Sequence, residues 1–342
     1  MRIVRYKEKR MHKQYNVAIV GATGAVGLEM QKTLEKRKFP VKSLRLLASS
    51  RSAGQEMTCL GKTWRIEELT PESFHGIDIA LFSAGASISK QFASYAVQAG
   101  AVVVDNSSAF RMQQDVPLVV PEVNPEDVKL HHGIIANPNC TTIIMLVAIK
   151  PLYDLSPVRR IVVSTYQSAS GAGAKGMDEL LKQTKTVLTG QKPEPKFFPH
   201  PYAFNLFSHN TDIGANGYNS EEMKMLNETK KILHDDKIKV CSTCVRVPIL
   251  RSHAEAILIE QERLVSVEEA LTALQTAPGV RIVNDAASNH YPMPWESNDQ
   301  YDVLVGRLRR DLSSENGLAL FVCGDQLLKG AALNAVQIAE LL

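Results

Sequence analysis

One cysteine, Cys140, lies where a protein chain can activate a thiol. The apolar run 133–136 predicts a short strand, Asn137-Pro138-Asn139 predicts a turn, and the apolar segment 141–153 predicts a helix with Cys140 at its start. The first turn of a helix has unpaired N–H groups and a partial positive charge, which favour the thiolate. The pattern therefore predicts a nucleophile, and a buried, inert cysteine is the alternative interpretation.

A glycine-rich turn near the start of the chain has the form of a nucleotide-binding loop. Gly21, Gly24 and Gly27 follow a predicted strand at 16–20 and open a predicted helix at 25–37. Glycines in this position permit a tight turn and let backbone N–H groups approach a pyrophosphate at the helix N-terminus. The spacing is GxxGxxG rather than GxGxxG, so a packing turn without a ligand is the alternative.

The end of the second predicted strand indicates which coenzyme this loop binds. NAD sites place an acidic residue there for the ribose hydroxyls. This chain instead has an arginine, Arg51, between the hydroxyl side chains of Ser49 and Ser52. A guanidinium among hydroxyl groups suits the 2′-phosphate of NADP. The sequence therefore favours NADP, with a solvated turn residue as the alternative interpretation of Arg51.

Three later segments contain further residues that could bind a ligand or take part in catalysis. The turn at 165–173 follows a predicted strand and is rich in small residues, which let a backbone approach a ligand closely. Arg246 lies in an otherwise apolar predicted strand, where an unpaired charge is costly, so it requires a carboxylate from the protein or from a substrate. His253 lies at the start of the next predicted strand. A lone histidine is usually structural, so its role depends on its neighbours.

Predicted strands and helices alternate in the first half of the chain, and strands dominate after Cys140. The alternation of short apolar strands with helices indicates an α/β fold with a Rossmann-like, doubly wound parallel sheet. The strand-rich second half indicates an α+β domain with a mixed sheet. The proline-rich segment 191–200 predicts an extended excursion from the surface, and the last predicted helix, 327–342, is expected to pack on the first domain.

Composition narrows the class of protein. The 342 residues have a formal net charge of +3, of which the first ten residues contribute +4, so the remainder does not suggest a nucleic-acid-binding fold. These ten residues lack the apolar region and cleavage site of a targeting segment. We expect a disordered tail there, or a true start at Met11. Apolar runs such as 143–149 are too short to span a bilayer.

The cysteines and histidines do not form a recognisable metal site. The five cysteines are sparse and lack disulfide-like spacing, which indicates the reducing cytoplasm. Cys241 and Cys244 are three apart on a predicted strand, so their side chains should point to opposite faces. His131-His132 has no companions at ligand spacing and predicts a solvated turn. We expect no metal.

Seven ordered motifs resemble the aspartate-semialdehyde dehydrogenase family. They are GATGAVG at 21–27, SSAFR at 107–111, NPNCTT at 137–142, YQSASGAG at 166–173, EEMKM at 221–225, CVRVP at 244–248 and KGAALNAVQ at 329–337. The resemblance extends from Tyr15 to the C-terminus. It implies the reversible, NADPH-dependent conversion of L-aspartyl-4-phosphate to L-aspartate 4-semialdehyde and phosphate. This reaction belongs to the biosynthesis of lysine, threonine, methionine and isoleucine.

The resemblance also implies roles for individual residues. Cys140 would form an acyl-thioester, His253 would act as the acid/base, and Gln167 would orient the acyl substrate. Arg246 would bind the substrate α-carboxylate, and Glu221 its amino group. The implied phosphate ligands are Arg111, Lys224 and Asn106. The implied NADP contacts are Gly21, Thr23, Gly24, Ala25, Val26, Gly27, Ser49, Arg51, Ser52, Ser170, Gly171 and Gln326.

Two positions depart from the family pattern. Ala254 replaces a common serine, which removes one hydroxyl beside His253 and leaves the acid/base intact. Gln326 replaces a common asparagine that is expected near the nicotinamide carboxamide. The longer amide affects the expected local geometry near the nicotinamide, but the implied function stays the same.

The resemblance further implies a domain division and an assembly. We expect a basic, disordered N-terminal extension at 1–14, an NADP-binding domain at 15–139 with 325–342, and a catalytic and dimerisation domain at 140–324. The expected assembly is a cytoplasmic homodimer, with a homotetramer as the alternative. Its partners would be small-molecule substrates, without nucleic acid or membrane.

Two rival functions fit part of the pattern. An N-acetyl-glutamyl-phosphate reductase would use the same nucleophile and cofactor, but it must accept an acylated amine, whereas Glu221 beside Lys224 suits a free ammonium. A non-catalytic NADP-binding sensor would have no need of Cys140, Gln167, Arg246 and His253 together.

Overall fold

The structure is a computed structural model that describes residues 13–342. The predicted extension at 1–14 lies outside the described residues except for Lys13 and Gln14. The described chain divides into two compact units. The first contains the residues up to Pro117 with Glu126–Asn137 and Ala335–Leu342, and the second contains Leu118–Pro125 and Pro138–Asn334.

A seven-stranded sheet forms the centre of the first unit. Its strands are β1 (Tyr15–Val20), β2 (Val41–Ala48), β3 (Glu56–Cys59), β4 (Lys62–Glu68), β5 (Ile79–Phe82), β6 (Val102–Asp105) and β7 (Ile134–Ala136). Their order is β3-β4-β2-β1-β5-β6-β7, and all neighbours are parallel except β3 with β4. Helices α1 (Ala25–Lys36) and α2 (Ala86–Gln98) connect strands of this sheet. The predicted doubly wound parallel sheet is confirmed, and the strand order reverses between β1 and β5.

The hairpin of β3 and β4 is absent from the predicted elements. Its strands are rich in charged and exposed residues, so they lack the apolar pattern of the central strands. The turn between them, Leu60-Gly61, has positive φ at both residues, at 53° and 68°. A leucine rarely adopts that conformation, so the sequence does not indicate a two-residue hairpin turn here.

A second seven-stranded sheet forms the other unit. Its strands are β8 (Val158–Gln167), β9 (Phe207–Ser208), β10 (Lys239–Arg246), β11 (His253–Gln261), β12 (Val280–Ile282), β13 (Val303–Arg310) and β14 (Gly317–Gly324). The order is β12-β13-β14-β11-β8-β10-β9. Pairs β8–β10 and β12–β13 are parallel and the others antiparallel, so the predicted mixed sheet is confirmed.

The first helix of the second unit, α3 (Cys140–Leu155), packs on one face of this sheet. The unit also contains the helices α4 (Gly173–Leu188), α5 (Ser220–Leu233), α6 (Val267–Gln275) and α7 (Pro294–Ser297). Alternate residues of β11, from His253 to Gln261, are buried on that face. Helix α3 packs there, and the amide of Gln261 donates to the carbonyl of Leu152 at 2.8 Å.

Two further predictions concern the last helix and the proline-rich segment. A π-helical turn, Leu328–Ala332, leads into α8 (Leu333–Glu340), and Glu340 accepts two hydrogen bonds from Arg37 at 2.6 and 2.5 Å. Residues Ala335–Leu342 therefore pack in the first unit, as predicted for the last helix, whereas residues 327–334 belong to the second unit. Segment 191–200 has no helix or strand and is exposed along most of its length, as predicted, but Phe198 is buried and stacks edge-on with Tyr202 at 4.7 Å, which attaches this part of the segment to the unit. Within residues 13–342, no helix is long and apolar enough to cross a membrane.

Candidate active site

Cys140 is the first residue of α3, directly after the N-cap residue Asn139. The side-chain oxygen of Asn139 accepts hydrogen bonds from the N–H groups of Thr141 at 3.1 Å and Thr142 at 3.5 Å. An asparagine cap satisfies N–H groups that a helix start otherwise leaves unpaired, and so fixes the first turn. The partly exposed thiol of Cys140 therefore lies at the positive end of a rigid helix.

Two carboxylates from α5 hold this cap in place. The backbone N–H of Asn139 donates to Glu228 at 2.6 Å, and its side-chain amide donates to Glu221 at 2.8 Å. Both carboxylates are buried. The backbone position of Cys140 is thus set by polar contacts between α3 and α5, which lie 82 and 89 residues apart at these bonds.

Glu221 is an ionised carboxylate inside the protein. It accepts hydrogen bonds from Lys224 at 2.9 Å and from the amide of Gln167 at 3.4 Å. Burial alone would raise its pKa, but the charges of Lys224 and His209, with the bonds from Lys224 and Asn139, lower the pKa of Glu221 to about 2. The carboxylate therefore remains negative at neutral pH.

Arg246 is a buried cation without an ion-pair partner. It ends β10 and is only 5% exposed. One guanidinium nitrogen donates to the carbonyl of Ser168 at 3.1 Å, whereas its Nε atom has no hydrogen-bond partner. Within residues 13–342, no Asp or Glu makes a salt bridge with it. Burial lowers the pKa of Arg246, which is the cost expected for a charge that lacks a counter-ion.

The hydrogen bonds of His253 indicate its tautomer. Its Nδ1 atom lies 3.1 Å from the backbone N–H of Ser168, which donates to it, and 3.1 Å from the Ser168 hydroxyl. We assign the proton of the neutral ring to Nε2, because Nδ1 acts as an acceptor. Nε2 has no partner in the described protein. Burial, followed by the charge of Arg246, lowers the pKa of His253 to about 3, so the ring is neutral at pH 7.

A chain of hydrogen bonds continues from His253 to Gln326. The Ser168 hydroxyl lies 3.1 Å from that of Ser170, and the Gln326 amide donates to Ser170. The Gln326 carbonyl accepts the N–H of Ser252 at 2.7 Å. Both ends of the Gln326 amide are therefore engaged within the protein. Its predicted contact with a nicotinamide stays a prediction.

Two buried groups in this unit were not identified from the sequence. His209 follows the edge strand β9, and its N–H donates to the carbonyl of Cys244 at 2.8 Å. Burial, followed by the charge of Arg246, lowers the pKa of His209 to about 4. Glu255 on β11 is fully buried, and neither of its carboxyl oxygens has a hydrogen-bond partner in the described part of the chain; burial raises its pKa well above the usual range. No local pattern signals His209, because only the pairing of β9 with β10 brings it near Arg246.

The predicted coenzyme residues of the first unit lie at one edge of its sheet. Gly21 follows β1 with φ 84°, and a side chain there would approach the backbone of Ser83 to 2.9 Å. Gly24 caps α1 without a side-chain hydrogen bond, and the first turn of α1 has no acidic residue. Arg51 lies in the exposed turn after the neighbouring strand β2. These features form at the carboxyl ends of adjacent parallel strands, where α/β sheets bind nucleotides.

Two of the implied phosphate ligands also belong to the first unit. Arg111 is buried and donates to the carbonyls of Asn137 and Asn106, both at 2.9 Å. The side-chain amide of Asn137 donates to that of Asn106 at 2.9 Å. Arg111 and Asn106 are thereby attached to Asn137, which also belongs to the first unit. The third implied ligand, Lys224, lies in the second unit beside Glu221.

The other cysteines and the paired histidines give no metal site. All five cysteines are free, and on β10 Cys241 is exposed whereas Cys244 is buried, so they point to opposite faces. His131 accepts the N–H of Gly133 at 3.0 Å in a turn. Among residues 13–342, no group of His, Cys, Asp or Glu side chains is arranged to hold a metal ion.

Comparison with known proteins gives a consistent family. Residues 16–131 match the model of the semialdehyde dehydrogenase NAD binding domain, and residues 149–329 match that of the semialdehyde dehydrogenase dimerisation domain. An aspartate-semialdehyde dehydrogenase of Synechocystis sp. is 55% identical over 332 residues, which are 97% of this chain and 98% of the relative.

Solved structures agree with the sequence relatives. A crystal structure of aspartate semialdehyde dehydrogenase II of Vibrio cholerae, complexed with ASA, is 47% identical with a TM-score of 0.93, covering 96% of this chain and 98% of that one. An aspartate semialdehyde dehydrogenase of Candida albicans, crystallised with NADP, is 25% identical with a TM-score of 0.76 over 96% of this chain and 98% of that one. This chain belongs to the aspartate-semialdehyde dehydrogenase family.

Proposed function

We propose that this protein catalyses the NADPH-dependent reductive dephosphorylation of L-aspartyl-4-phosphate to L-aspartate 4-semialdehyde and phosphate. The observation that supports it best is the pair of buried, opposite charges on Arg246 and Glu221. Arg246 makes no salt bridge within residues 13–342, and Glu221 stays ionised. A free amino acid presents one α-carboxylate and one α-ammonium, which complement these two groups.

Cys140 is the proposed nucleophile. Its thiolate would attack the acyl carbon of the acyl phosphate, and the bond to the phosphate oxygen would break, which leaves a thioester on Cys140 and free phosphate. We assign the departing phosphate to Arg111, Asn106 and Lys224, because cationic and amide donors stabilise phosphate charge. The helix start at Cys140 supports this role, since it favours the thiolate.

The remaining chemistry requires a hydride and a site for the charge that develops on oxygen. NADPH, when bound, supplies the hydride that reduces the thioester. The proton on Nε2 makes His253 a hydrogen-bond donor for the acyl oxygen as it becomes negative. We propose that Gln167, whose amide is oriented by Thr165 at 3.2 Å, positions the acyl group. Expulsion of the Cys140 thiolate then gives the aldehyde.

The residues of the first unit fit NADP. The uncapped N–H groups at the start of α1 suit a pyrophosphate, and the absence of an acidic residue from the first turn of α1 removes a repulsion. Arg51, with Ser49 and Ser52, would bind the 2′-phosphate. From the second unit, the resemblance adds Ser170, Gly171 and Gln326. The domain division predicted from the sequence, with its boundary at 139/140, stays part of this proposal.

We also propose that the protein works as a homodimer in the cytoplasm. The match to a dimerisation domain over residues 149–329 supports the dimer. The second sheet supplies a surface for it, because Tyr166, Leu258 and Phe321 are only half-buried on the face that α3 does not cover. Five free cysteines support a reducing compartment.

Phosphate-dependent reduction of NADP by L-aspartate 4-semialdehyde tests the proposal in the reverse direction. We expect turnover with wild-type protein and phosphate, and loss of turnover in Cys140→Ser with NADP binding retained, since a serine hydroxyl is a far weaker nucleophile than a thiolate. A Cys140→Ser rate above about a tenth of wild type would refute the covalent mechanism. Turnover of N-acetyl-glutamate semialdehyde instead would identify the sister enzyme, and NADP binding without any turnover would identify a sensor.

A further inference from the structure

The π-helical turn before α8 has a widened backbone. The N–H of Gly330 donates to the carbonyl of Asp325 at 3.1 Å, and that of Ala332 donates to Leu327 at 3.0 Å. Each bond spans five residues, one more than in an α-helix. Single π-turns of this kind are uncommon and frequent at functional sites, because they shift residues out of the regular helical position.

The residue that the π-turn brings forward is Gly330, and it lies directly against the proposed nucleophile. A Cβ atom at this position would lie 2.8 Å from the Cβ of Cys140 and 3.2 Å from its Cα. It would also lie 3.3 Å from the Cβ of Gln326. Gly330 is not among the residues with positive φ, so its backbone is open to any amino acid. The approach to Cys140 is therefore the tightest of the contacts that require glycine here.

The turn cannot move away from Cys140 without breaking buried polar contacts. The ammonium of Lys329 is 1% exposed, forms an ion pair with Glu122 and donates to Asn334 at 2.8 Å. The amide of Asn334 donates in turn to the carbonyl of Val119 at 2.9 Å. Breaking a buried ion pair by moving one partner is strongly unfavourable, so this network anchors the turn.

The other side of Cys140 is equally fixed. Asn139 caps α3 and is bonded to Glu221 and Glu228, so the start of the helix cannot recede without losing these bonds. Cys140 is therefore confined between the capped start of α3 and the anchored turn. We propose that Gly330 is a positioning residue for the reaction, and that its missing side chain sets the place of the Cys140 thiol at the mouth of α3. This inference depends on the proposed role of Cys140 as nucleophile.

The test compares two glycine-to-alanine substitutions with the same degree of crowding. A Cβ at Gly330 and one at Gly317, the first residue of β14, would each come to 2.8 Å from the nearest atom. The atoms near Gly317 belong to Asp311 and Ser314, in the turn before that strand. Any general effect of overpacking should therefore appear in both variants. Only Gly330→Ala should alter Cys140.

We expect Gly330→Ala to lower kcat by about 10- to 100-fold with little change in KM, because displacement of a reacting group by up to 1 Å costs about that much. The pH midpoint of Cys140 alkylation by iodoacetamide should rise, since a displaced thiolate loses its interaction with the helix start. Gly317→Ala should keep both values of the wild type. Wild-type kcat and an unchanged alkylation midpoint in folded Gly330→Ala would overturn the inference, and so would equal changes in the two variants.

Two further measurements keep the inference testable and separate it from the proposed function. If Gly330→Ala does not fold, Lys329→Gln serves in its place, because an amide can still donate to Glu122 and Asn334 but loosens the anchor. A fall in kcat with a raised alkylation midpoint would support the inference, and wild-type values would overturn it. Failure of the proposed function would be visible in wild-type protein, as an absence of phosphate-dependent turnover whatever the behaviour of Cys140 toward iodoacetamide.

Discussion

Replacement of Arg246 by methionine should stabilise the free protein and abolish substrate recognition. Methionine has a similar length and no charge, so the change removes a buried cation that makes no salt bridge with any residue the structure describes. The effective penalty for burying an ion is several kcal/mol. Against it, the change removes one hydrogen bond to Ser168, worth about 1 kcal/mol, and a contact over the ring of Phe198 at 5.9 Å, worth about 1 kcal/mol.

The net gain should be about 1 to 3 kcal/mol in the free energy of unfolding. For a unit of this size, each kcal/mol raises the melting temperature by about 2–4 °C. The loss of substrate binding free energy should be larger than this gain in stability. Two hydrogen bonds from a guanidinium to a carboxylate, at about 1.5–3 kcal/mol each, correspond to at least about a hundredfold rise in KM.

Arg251 offers a matched control, because it is a paired arginine in the same unit. It forms salt bridges with Asp325 at 2.8 Å and with Asp299 at 3.0 Å, and Asp325 is fully buried. Arg251→Met leaves that carboxylate buried without its cation, so the melting temperature should fall. The assay is thermal unfolding of both variants without ligands at one protein concentration, with steady-state kinetics on L-aspartate 4-semialdehyde. A melting temperature that falls in Arg246→Met as in Arg251→Met, with KM unchanged, would identify Arg246 as a structural residue and refute the reasoning.

Two further predictions concern the coenzyme and the response to pH. Arg51→Ala should lower the affinity for NADP by about one to two decades and leave the affinity for NAD unchanged, because only NADP has the 2′-phosphate. If binding titrations show an equal loss of affinity for both coenzymes, Arg51 supports the loop rather than binds the phosphate. The folded pKa of His209, about 4, lies below its ordinary 6.5, so the neutral ring contributes stability that is complete above pH 6.5 and lost as pH falls toward 4. In His209→Gln the free energy of unfolding should therefore fall less on acidification than in wild type, by up to about 3 kcal/mol. Urea unfolding midpoints that fall equally in the variant and in wild type between pH 7 and 4 would contradict this prediction.

The elements that the sequence predicts well are those whose pattern is local. The central strands of the first sheet are continuous apolar runs, and Asn139 before the apolar helix predicts its start within one residue of the observed Cys140. Strand β3 is the edge strand of that sheet and β4 is its neighbour. Charged residues at a sheet edge protect against further pairing, so the pattern of this hairpin resembles a loop. The two-residue strand β9 is too short for any periodicity.

The site itself could be predicted only in part, since its electrostatics depend on contacts between distant residues. The sequence shows that Arg246 needs a carboxylate, but the fold of residues 13–342 provides none within salt-bridge distance. His209 lies near Arg246 only because β9 pairs with β10. Gly330 lies against Cys140 only because of the π-turn. The ion pair of Lys329 with Glu122 joins residues 207 apart. A contact between residues so far apart cannot be predicted from the spacing of sequence motifs.

In the proposed reaction, Glu221 would link recognition of the substrate to the placement of the nucleophile, Cys140. One of its carboxylate oxygens accepts the Asn139 amide, and the other accepts Lys224. Asn139 in turn caps the helix that begins at Cys140. An ammonium that binds Glu221 therefore contacts a group already bonded to the cap of the nucleophile's helix, whereas an acylated amine has no charge to offer it. In the proposed reaction, the preference for a free amino group and the position of the thiol would thus depend on the same carboxylate.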